Sequence, residues 1–285
     1  LSRRQRQMCI RDSYEREYFE PQSTLGCGQT FRFRPWREGY FVCAADRACY
    51  VYARGNETFV ECEDADRDYF HHYFDLSRDY GEICRRAESY GIETVCAAYR
   101  KGRGLRILNQ DEEETTFSFL VSQNNHIPRI KGILERIAER AGEEKIFLGE
   151  RFFTFPKASV LAEKDERFFA DLGAGYRAKY LFASAKAIAA GALRGAREKH
   201  GDALRAQLTA LCGVGPKVAD CIALFAYHDT GAFPVDTWVE KVYREDFHGA
   251  LKDRGKIAAF FRELFGDVGG YIQQVLFYCK RGERS

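Results

Sequence analysis

Lys217 stands directly behind Gly213-Val214-Gly215-Pro216, and Asp236 follows nineteen positions later, after a Pro234-Val235 step. A lysine that stabilises a helix belongs at its C-terminal end; at the N-terminal end the dipole disfavours a cation and so favours the neutral amine. A neutral amine is a nucleophile. A carboxylate close by could stabilise positive charge developing on a reacting carbon, or orient the amine. Asp236 also suits the N-cap of a helix through Thr237-Trp238-Val239-Glu240, and the two roles are compatible.

The elements that must position this pair are two amphipathic stretches. Leu204, Leu208 and Leu211 recur at i, i+4, i+7, and Val218, Cys221, Ile222 and Phe225 at i, i+3, i+4, i+7. Between them, Gly213 and Gly215 leave room for positive backbone dihedrals, and Pro216 suits a first helical turn. Taken alone, the glycines fit any helix–helix turn. With Lys217, the free N–H groups and the positive helix end suit a phosphate, which makes Gly213, Val214 and Gly215 candidate contacts to a nucleic-acid backbone. Residues 211–217 thus read as the hairpin of a helix-hairpin-helix DNA-binding element.

Upstream, Thr30 to Cys62 is rich in Phe, Tyr, Val and Thr, with turn signals at Pro35, Arg37-Glu38-Gly39 and Arg54-Gly55-Asn56, as in an antiparallel meander. Beyond Asp64 the pattern is helical, broken by two polar loops, Ser122 to His126 and Leu172 to Gly175. The expected architecture is α+β: a mainly β domain over 14–105, followed by an all-α region over 106–285. Residues 1–13, LSRRQRQMCIRDS, lack helical or strand periodicity and are expected to be a non-native or disordered leader.

Charge and cysteine content narrow the class. The chain of 285 residues has a net charge of +2; without the leader's four arginines and one aspartate it is about −1, so overall charge is no guide to partners. Its distribution is uneven: Gly175 to Lys217 holds eight Lys or Arg against two acids, and Glu61 to Glu82 holds eight acids against two arginines. These are solvated helix faces or one basic surface. None of the ten cysteines forms a Cys-x-x-Cys pair, and only two follow Lys217. That excludes a clustered iron–sulfur site in this region, and no metal cofactor is expected. No run approaches the roughly 18–20 apolar residues of a membrane span, and the start lacks the apolar core of a secretory signal. A cytoplasmic, DNA-associated monomer is the expectation.

Four separated segments then share one resemblance. Gly28-Gln29-Thr30-Phe31-Arg32, Asn124-Asn125-His126-Ile127-Pro128-Arg129-Ile130, Gly175-Tyr176-Arg177-Ala178-Lys179-Tyr180 and Gly213-Val214-Gly215-Pro216-Lys217-Val218-Ala219-Asp220-Cys221 occur in the order seen in 8-oxoguanine DNA glycosylases of the helix-hairpin-helix superfamily. The chain resembles that family from about residue 20 to Phe277. The resemblance implies an enzyme that flips an oxidised purine out of duplex DNA, attacks C1′ with Lys217 and, through a Schiff base, nicks the strand 3′ to the site by β-elimination. Asp236 would support the developing charge. Gly28 matches the glycine whose carbonyl accepts the lesion's N7–H, Cys221 and Phe277 match the side chains that sandwich the base, and Gln273 matches the amide reading its Watson–Crick edge. Asn124, Arg129 and Arg177 match residues that contact the orphaned cytosine, and Tyr176 matches the wedge filling the vacated stack. Formamidopyrimidines are implied as further lesions.

Two departures stand out from the animal pattern. Gln123 and His126 replace polar loop residues, and Trp238 stands where a histidine usually follows the aspartate by two. They bear on phosphate contacts and on how strictly cytosine is selected. A helix-hairpin-helix glycosylase for alkylated bases shares the hairpin and aspartate but generally lacks the lysine. A non-catalytic helix-hairpin-helix module would need neither Lys217 nor Asp236.

Overall fold

The computed structural model describes residues 9–282. Strand β1 (Cys9–Glu15) is followed by helix α1 (Pro21–Gly26) and a meander of β2 (Phe33–Trp36), β3 (Gly39–Ala44), β4 (Arg47–Arg54) and β5 (Glu57–Glu63). Among the described residues these strands form one antiparallel sheet in the order β1-β5-β4-β3-β2. The three hairpin loops of the meander are two residues long and begin at Arg37, Ala45 and Gly55, whose φ values are 50°, 52° and 61°. A positive φ at that point lets the turn follow the right-handed twist of its strands. Pro35 sits on edge strand β2, where its missing N–H costs no ladder bond.

The expectation of a leader outside the fold through residue 13 is corrected for residues 9–13, which belong to β1 and pair with β5, Ser13 opposite Phe59. β1 carries few apolar residues. Its cover over the sheet comes partly from Arg11, whose guanidinium lies 4.2 Å from the Phe59 ring centroid and 5.3 Å from that of Tyr52. Residues 1–8 lie outside the described residues.

After the sheet come α2 (Arg67–Tyr73), α3 (Tyr80–Glu88), α4 (Glu93–Lys101), α5 (Glu112–Ser122) and α6 (Ile127–Ala141), then a hairpin of β6 (Glu144–Phe147) and β7 (Glu150–Phe153). The remainder is helical: α7 (Ala158–Ala162), α8 (Glu166–Asp171), α9 (Ala178–Ala189), α10 (Gly201–Thr209), α11 (Pro216–Ala226), α12 (Thr237–Glu245), α13 (Arg254–Phe265) and α14 (Gly269–Gly282). The periodicity of Val218 to Phe225 understates the burial of α11, in which every residue from Val218 to Ala226 is buried. It forms the centre of the helical core, Phe225 stacking on Phe119 of α5 with ring centroids 5.4 Å apart.

Both faces of the sheet are covered. Val42, Cys49, Val51 and Val60 pack with Phe19, Leu25, Phe70, Tyr73 and Phe74. On the other face Phe41, Tyr50 and Tyr52 meet Phe147 and Phe152 of the β6–β7 hairpin, which returns from the helical region to the sheet. The join is also polar: the Ala45 N–H donates to Glu114 at 2.6 Å, the Phe155 N–H donates to the Ala45 carbonyl at 2.8 Å, and the Arg32 guanidinium donates to the Phe153 carbonyl. No helix among the described residues is long and apolar enough to cross a membrane.

Burial pushes the Glu114 carboxyl up to about 7 from its ordinary 4.5, so the folded protein holds a proton there that the unfolded chain releases. This contribution to stability is complete below the unfolded value and is lost as pH rises through the folded one. Urea unfolding followed from pH 4.5 to 7 should therefore show a component that falls with pH by at most about 1.4 kcal/mol per unit. Glu114→Gln keeps an acceptor for the Ala45 N–H and should remove that component; an unchanged slope would assign the pH dependence to other groups.

Candidate active site

The hairpin Ala210–Gly215 joins α10 to α11. Its glycines do different work from each other. Gly213 has φ +82°, and a Cβ there would lie 2.4 Å from Tyr180 Cγ of α9, so close packing as well as backbone conformation demands glycine. Gly215 has an extended backbone at φ −87° and is the N-cap of α11, so of the two only Gly213 uses the room for a positive dihedral. A Cβ on Gly215 would meet nothing within 4 Å. Its bareness leaves the approach to the α11 N-terminus open, where the main-chain N–H groups and the dipole favour an anion.

Lys217 is the second residue of α11 and half-buried, its Nζ 5.6 Å from the centroid of the Phe119 ring. One turn on, Cys221 is buried, and burial pushes its thiol up to about 11 although the Lys217 amine draws it the other way. It is a neutral, soft surface rather than a thiolate. Asp236 caps α12: its Oδ1 accepts from the N–H groups of Trp238 and Val239, each at 2.9 Å. Capping fixes the carboxylate where it opens onto the same cleft as Lys217.

That cleft has a volume of about 870 Å³, and Gly28, Asn124, Tyr176, Lys217, Asp236 and Phe277 line it. Gly28 has φ +84°, and an added Cβ would lie 3.0 Å from Arg281 Nη1 and 3.5 Å from the Phe277 ring. The neighbouring Gln29 is fully buried; its amide donates to the carbonyls of Thr24 (2.8 Å) and Arg106 (2.7 Å) and accepts from the Leu108 N–H (2.9 Å). Gln274 of α14 donates to the Cys27 carbonyl at 2.9 Å. These amides pin the turn carrying Gly28 against α14.

Gln273 and Cys221 lie beneath the cleft rather than on its wall. Gln273 Nε2 donates to the Pro234 carbonyl at 3.1 Å, which fixes the amide, while its buried Oε1 has no partner among the described residues. A buried acceptor left unpaired is costly and marks where a donor belongs. Arg281, which sequence reasoning missed, lines the cleft, stacks 5.1 Å from the Phe277 centroid and donates to the Gly26 carbonyl. Gln273, Phe277 and Arg281 stand at i, i+4, i+8, a spacing that could have revealed the stripe.

The two polar loops flank the hairpin. Asn124, exposed with φ 45°, adopts the left-handed conformation just past α5, which asparagine tolerates. Tyr176 is 52% exposed at the cleft edge. Arg129 is exposed and donates to the Gly173 carbonyl at 3.2 Å. Arg177, by contrast, is buried, with its guanidinium spent on main-chain carbonyls: Nε donates to Gln123 at 2.8 Å, Nη1 to Ala174 at 3.2 Å and Nη2 to Asn124 at 2.8 Å.

Comparison with known proteins agrees along the chain. Residues 13–116 match the model of the 8-oxoguanine DNA glycosylase N-terminal domain, and residues 117–266 that of the HhH-GPD superfamily base excision DNA repair proteins. A probable N-glycosylase/DNA lyase of Methanothermobacter thermautotrophicus is 30% identical over 232 residues, covering 74% of this chain and 73% of that protein. An N-glycosylase/DNA lyase of Arabidopsis thaliana is 35% identical over 191 residues, covering 62% of this chain and 52% of the plant protein. A crystal structure of the Clostridium acetobutylicum 8-oxoguanine glycosylase/lyase, in complex with double-stranded DNA containing cytosine opposite 8-oxoguanine, superposes with a TM-score of 0.89. It is 34% identical and covers 98% of this chain and 99% of its own.

The two hairpin glycines should separate stability from binding. Gly213→Ala forces a left-handed alanine against Tyr180 and should cost about 1–3 kcal/mol or more in urea unfolding. Gly215→Ala should leave unfolding unchanged yet weaken duplex binding, measured by fluorescence anisotropy at two salt concentrations, with the loss greater at low salt.

Proposed function

The chain belongs to the HhH-GPD superfamily of base excision DNA repair proteins, in the branch bearing the 8-oxoguanine glycosylase N-terminal domain, and we propose that it excises 8-oxoguanine from duplex DNA and nicks the abasic strand. The observation that carries this reading is the convergence of four residues remote in sequence, Gly28, Lys217, Asp236 and Phe277, on one cleft beside the bare N-terminus of α11. The enzyme acts as a monomer, with formamidopyrimidines as further substrates.

In this reading the α11 N-terminus and the main chain of Gly213, Val214 and Gly215 grip a phosphate, and the lesion enters the cleft extrahelically. Gly28 presents its carbonyl to the N7–H that 8-oxoguanine has and guanine lacks. The unpaired Gln273 Oε1 accepts from the purine's Watson–Crick edge, where guanine-type bases carry N–H donors. Phe277 and the neutral Cys221 flank the ring.

The Lys217 amine then supplies its lone pair to C1′ as the N-glycosidic bond breaks and the base leaves with the bonding electrons and a proton. The Asp236 carboxylate stabilises the positive charge shared between C1′ and the ring oxygen. Loss of the amine proton and opening of the sugar give an imine. Removal of a C2′ proton expels the 3′ phosphate, and water releases Lys217.

Asn124 and Arg129 read the orphaned cytosine while Tyr176 fills the gap in the stack. A guanidinium donates to both of the adjacent acceptors on cytosine's Watson–Crick edge, N3 and O2, whereas adenine offers it only N1 beside a C–H. Arg177 joins them only after giving up its carbonyl partners.

Borohydride reduction during reaction with an 8-oxoguanine:cytosine duplex should trap wild-type protein covalently on DNA. Lys217→Gln should bind but yield neither excision nor adduct, and an adduct at the wild-type level would refute the nucleophile. Asp236→Asn should slow the chemical step with affinity kept, since charge changes more than shape. Its amide still caps α12; a change in affinity alone would leave the carboxylate a purely structural cap.

Gly28→Ala should lower 8-oxoguanine excision by the equivalent of about 1–3 kcal/mol while β-elimination at a preformed abasic site persists. Equal losses in both reactions would remove Gly28 from base recognition.

A further inference from the structure

Gln123, which departs from the animal pattern, ties together three loops around the cleft. Its Nε2 donates to the Gly213 carbonyl in the hairpin at 3.0 Å and to the Leu120 carbonyl at 3.3 Å. Its own carbonyl accepts from the Tyr176 hydroxyl at 3.2 Å and from Arg177 Nε at 2.8 Å, with Arg177 Nη2 also donating to it. The side chain therefore holds the hairpin and the main chain holds the wedge loop. Gly213 stands four residues before Lys217 and is wedged against Tyr180, so the hairpin has little freedom to absorb a shift.

We infer that Gln123 is a positioning residue that makes the placement of Lys217 depend on the base opposite the lesion. The inference rests on the partner-base reading above. In the free chain Arg177 is committed to the carbonyls of Gln123 and Asn124. Cytosine, with the two adjacent acceptors N3 and O2, competes for that guanidinium; adenine, with the single acceptor N1 beside a C–H, does not match its paired donors. When cytosine draws Arg177 away, the Gln123 main chain loses its strongest donors and settles into a new position. The Nε2 bond to Gly213 carries that adjustment to the turn in front of Lys217. A wrong partner leaves Arg177 where it is and Lys217 in its unadjusted place.

The coupling acts on the chemical step rather than on capture, because Gln123, although it lines the cleft, has its Nε2 spent on main-chain groups of the protein. Gln123→Glu tests the bond itself. It preserves shape but sets a carboxylate oxygen against the Gly213 carbonyl, where Gln123 supplies an N–H. Gln123→Ala removes the link without repulsion.

Single-turnover excision opposite cytosine and opposite adenine, with Kd for a duplex bearing an abasic analogue, measures the effect. Wild type should react faster opposite cytosine. Both variants should lose on the order of five- to tenfold of that rate, the worth of one hydrogen bond, so that the two partners converge, while Kd and the unfolding midpoint stay near wild type. A cytosine preference that survives in both variants overturns the inference alone. A wild type indifferent to the partner base overturns the partner-base reading and this inference with it. A loss confined to Kd also overturns it, since it would make Gln123 a DNA-binding residue.

Discussion

The cleft depends on a buried amide. Gln29 satisfies its whole side chain on the main chain of three separate positions, 24, 106 and 108, and its carbonyl accepts from Gln110 Nε2 at 2.8 Å. A fully buried amide is tolerated only when its donors and acceptor are met, so this one fixes the relative height of the turn at 27–29, the segment leading into α5 and, through Gln274, the face of α14. Gly28 and Phe277 stand side by side on one wall of the cleft because of that network. The sheet domain thus provides one side of a site whose proposed reacting groups come from helices.

The opposing wall follows from helix ends. Lys217 and Asp236 both sit at helix N-termini, one in the first turn of α11 and one as the cap of α12. Two such ends facing a single cleft concentrate positive potential where an anionic backbone would lie. Asp236 is held by two N–H groups, so the carboxylate has a fixed direction rather than a choice of rotamers. The same bonds that start α12 hold the carboxylate on the cleft that Lys217 also lines, and no separate scaffold is needed to hold it.

Much of this was legible in sequence because it depends on local chemistry. Glycine and proline before a lysine, the strand alternation from Thr30 to Cys62 and the polar breaks at 122–126 and 172–175 each act over a few residues, and the α+β architecture and family followed from them. What escaped depends on distant partners. Arg177 reads as a surface arginine until the carbonyls of Gln123, Asn124 and Ala174 surround it. β1 was missed because its cover is partly a guanidinium lying over aromatic rings. The β6–β7 hairpin has only four residues in each strand, too few for alternation to show, and its turn residues Leu148 and Gly149, with φ of 49° and 84°, include a leucine that carries no turn signal. Gly213 and Gly215 looked alike in sequence and differ because only one of them meets Tyr180.

That same hairpin bears on how the chain is made. Phe147 and Phe152 close a sheet face built from residues that precede them by about a hundred positions, Phe41, Tyr50 and Tyr52 among them. During synthesis at roughly 5–20 residues per second, the meander leaves the ribosome several seconds before its aromatic lid. For that interval one face of the nascent sheet can pack on its neighbouring helices, while the rings of the other lack Phe147 and Phe152 and have only the cover of guanidinium groups such as those of Arg11 and Arg34. An isolated N-terminal sheet would therefore leave that aromatic face without its lid, and a nascent chain paused near residue 120 would present an adhesive surface to which a holding chaperone is suited.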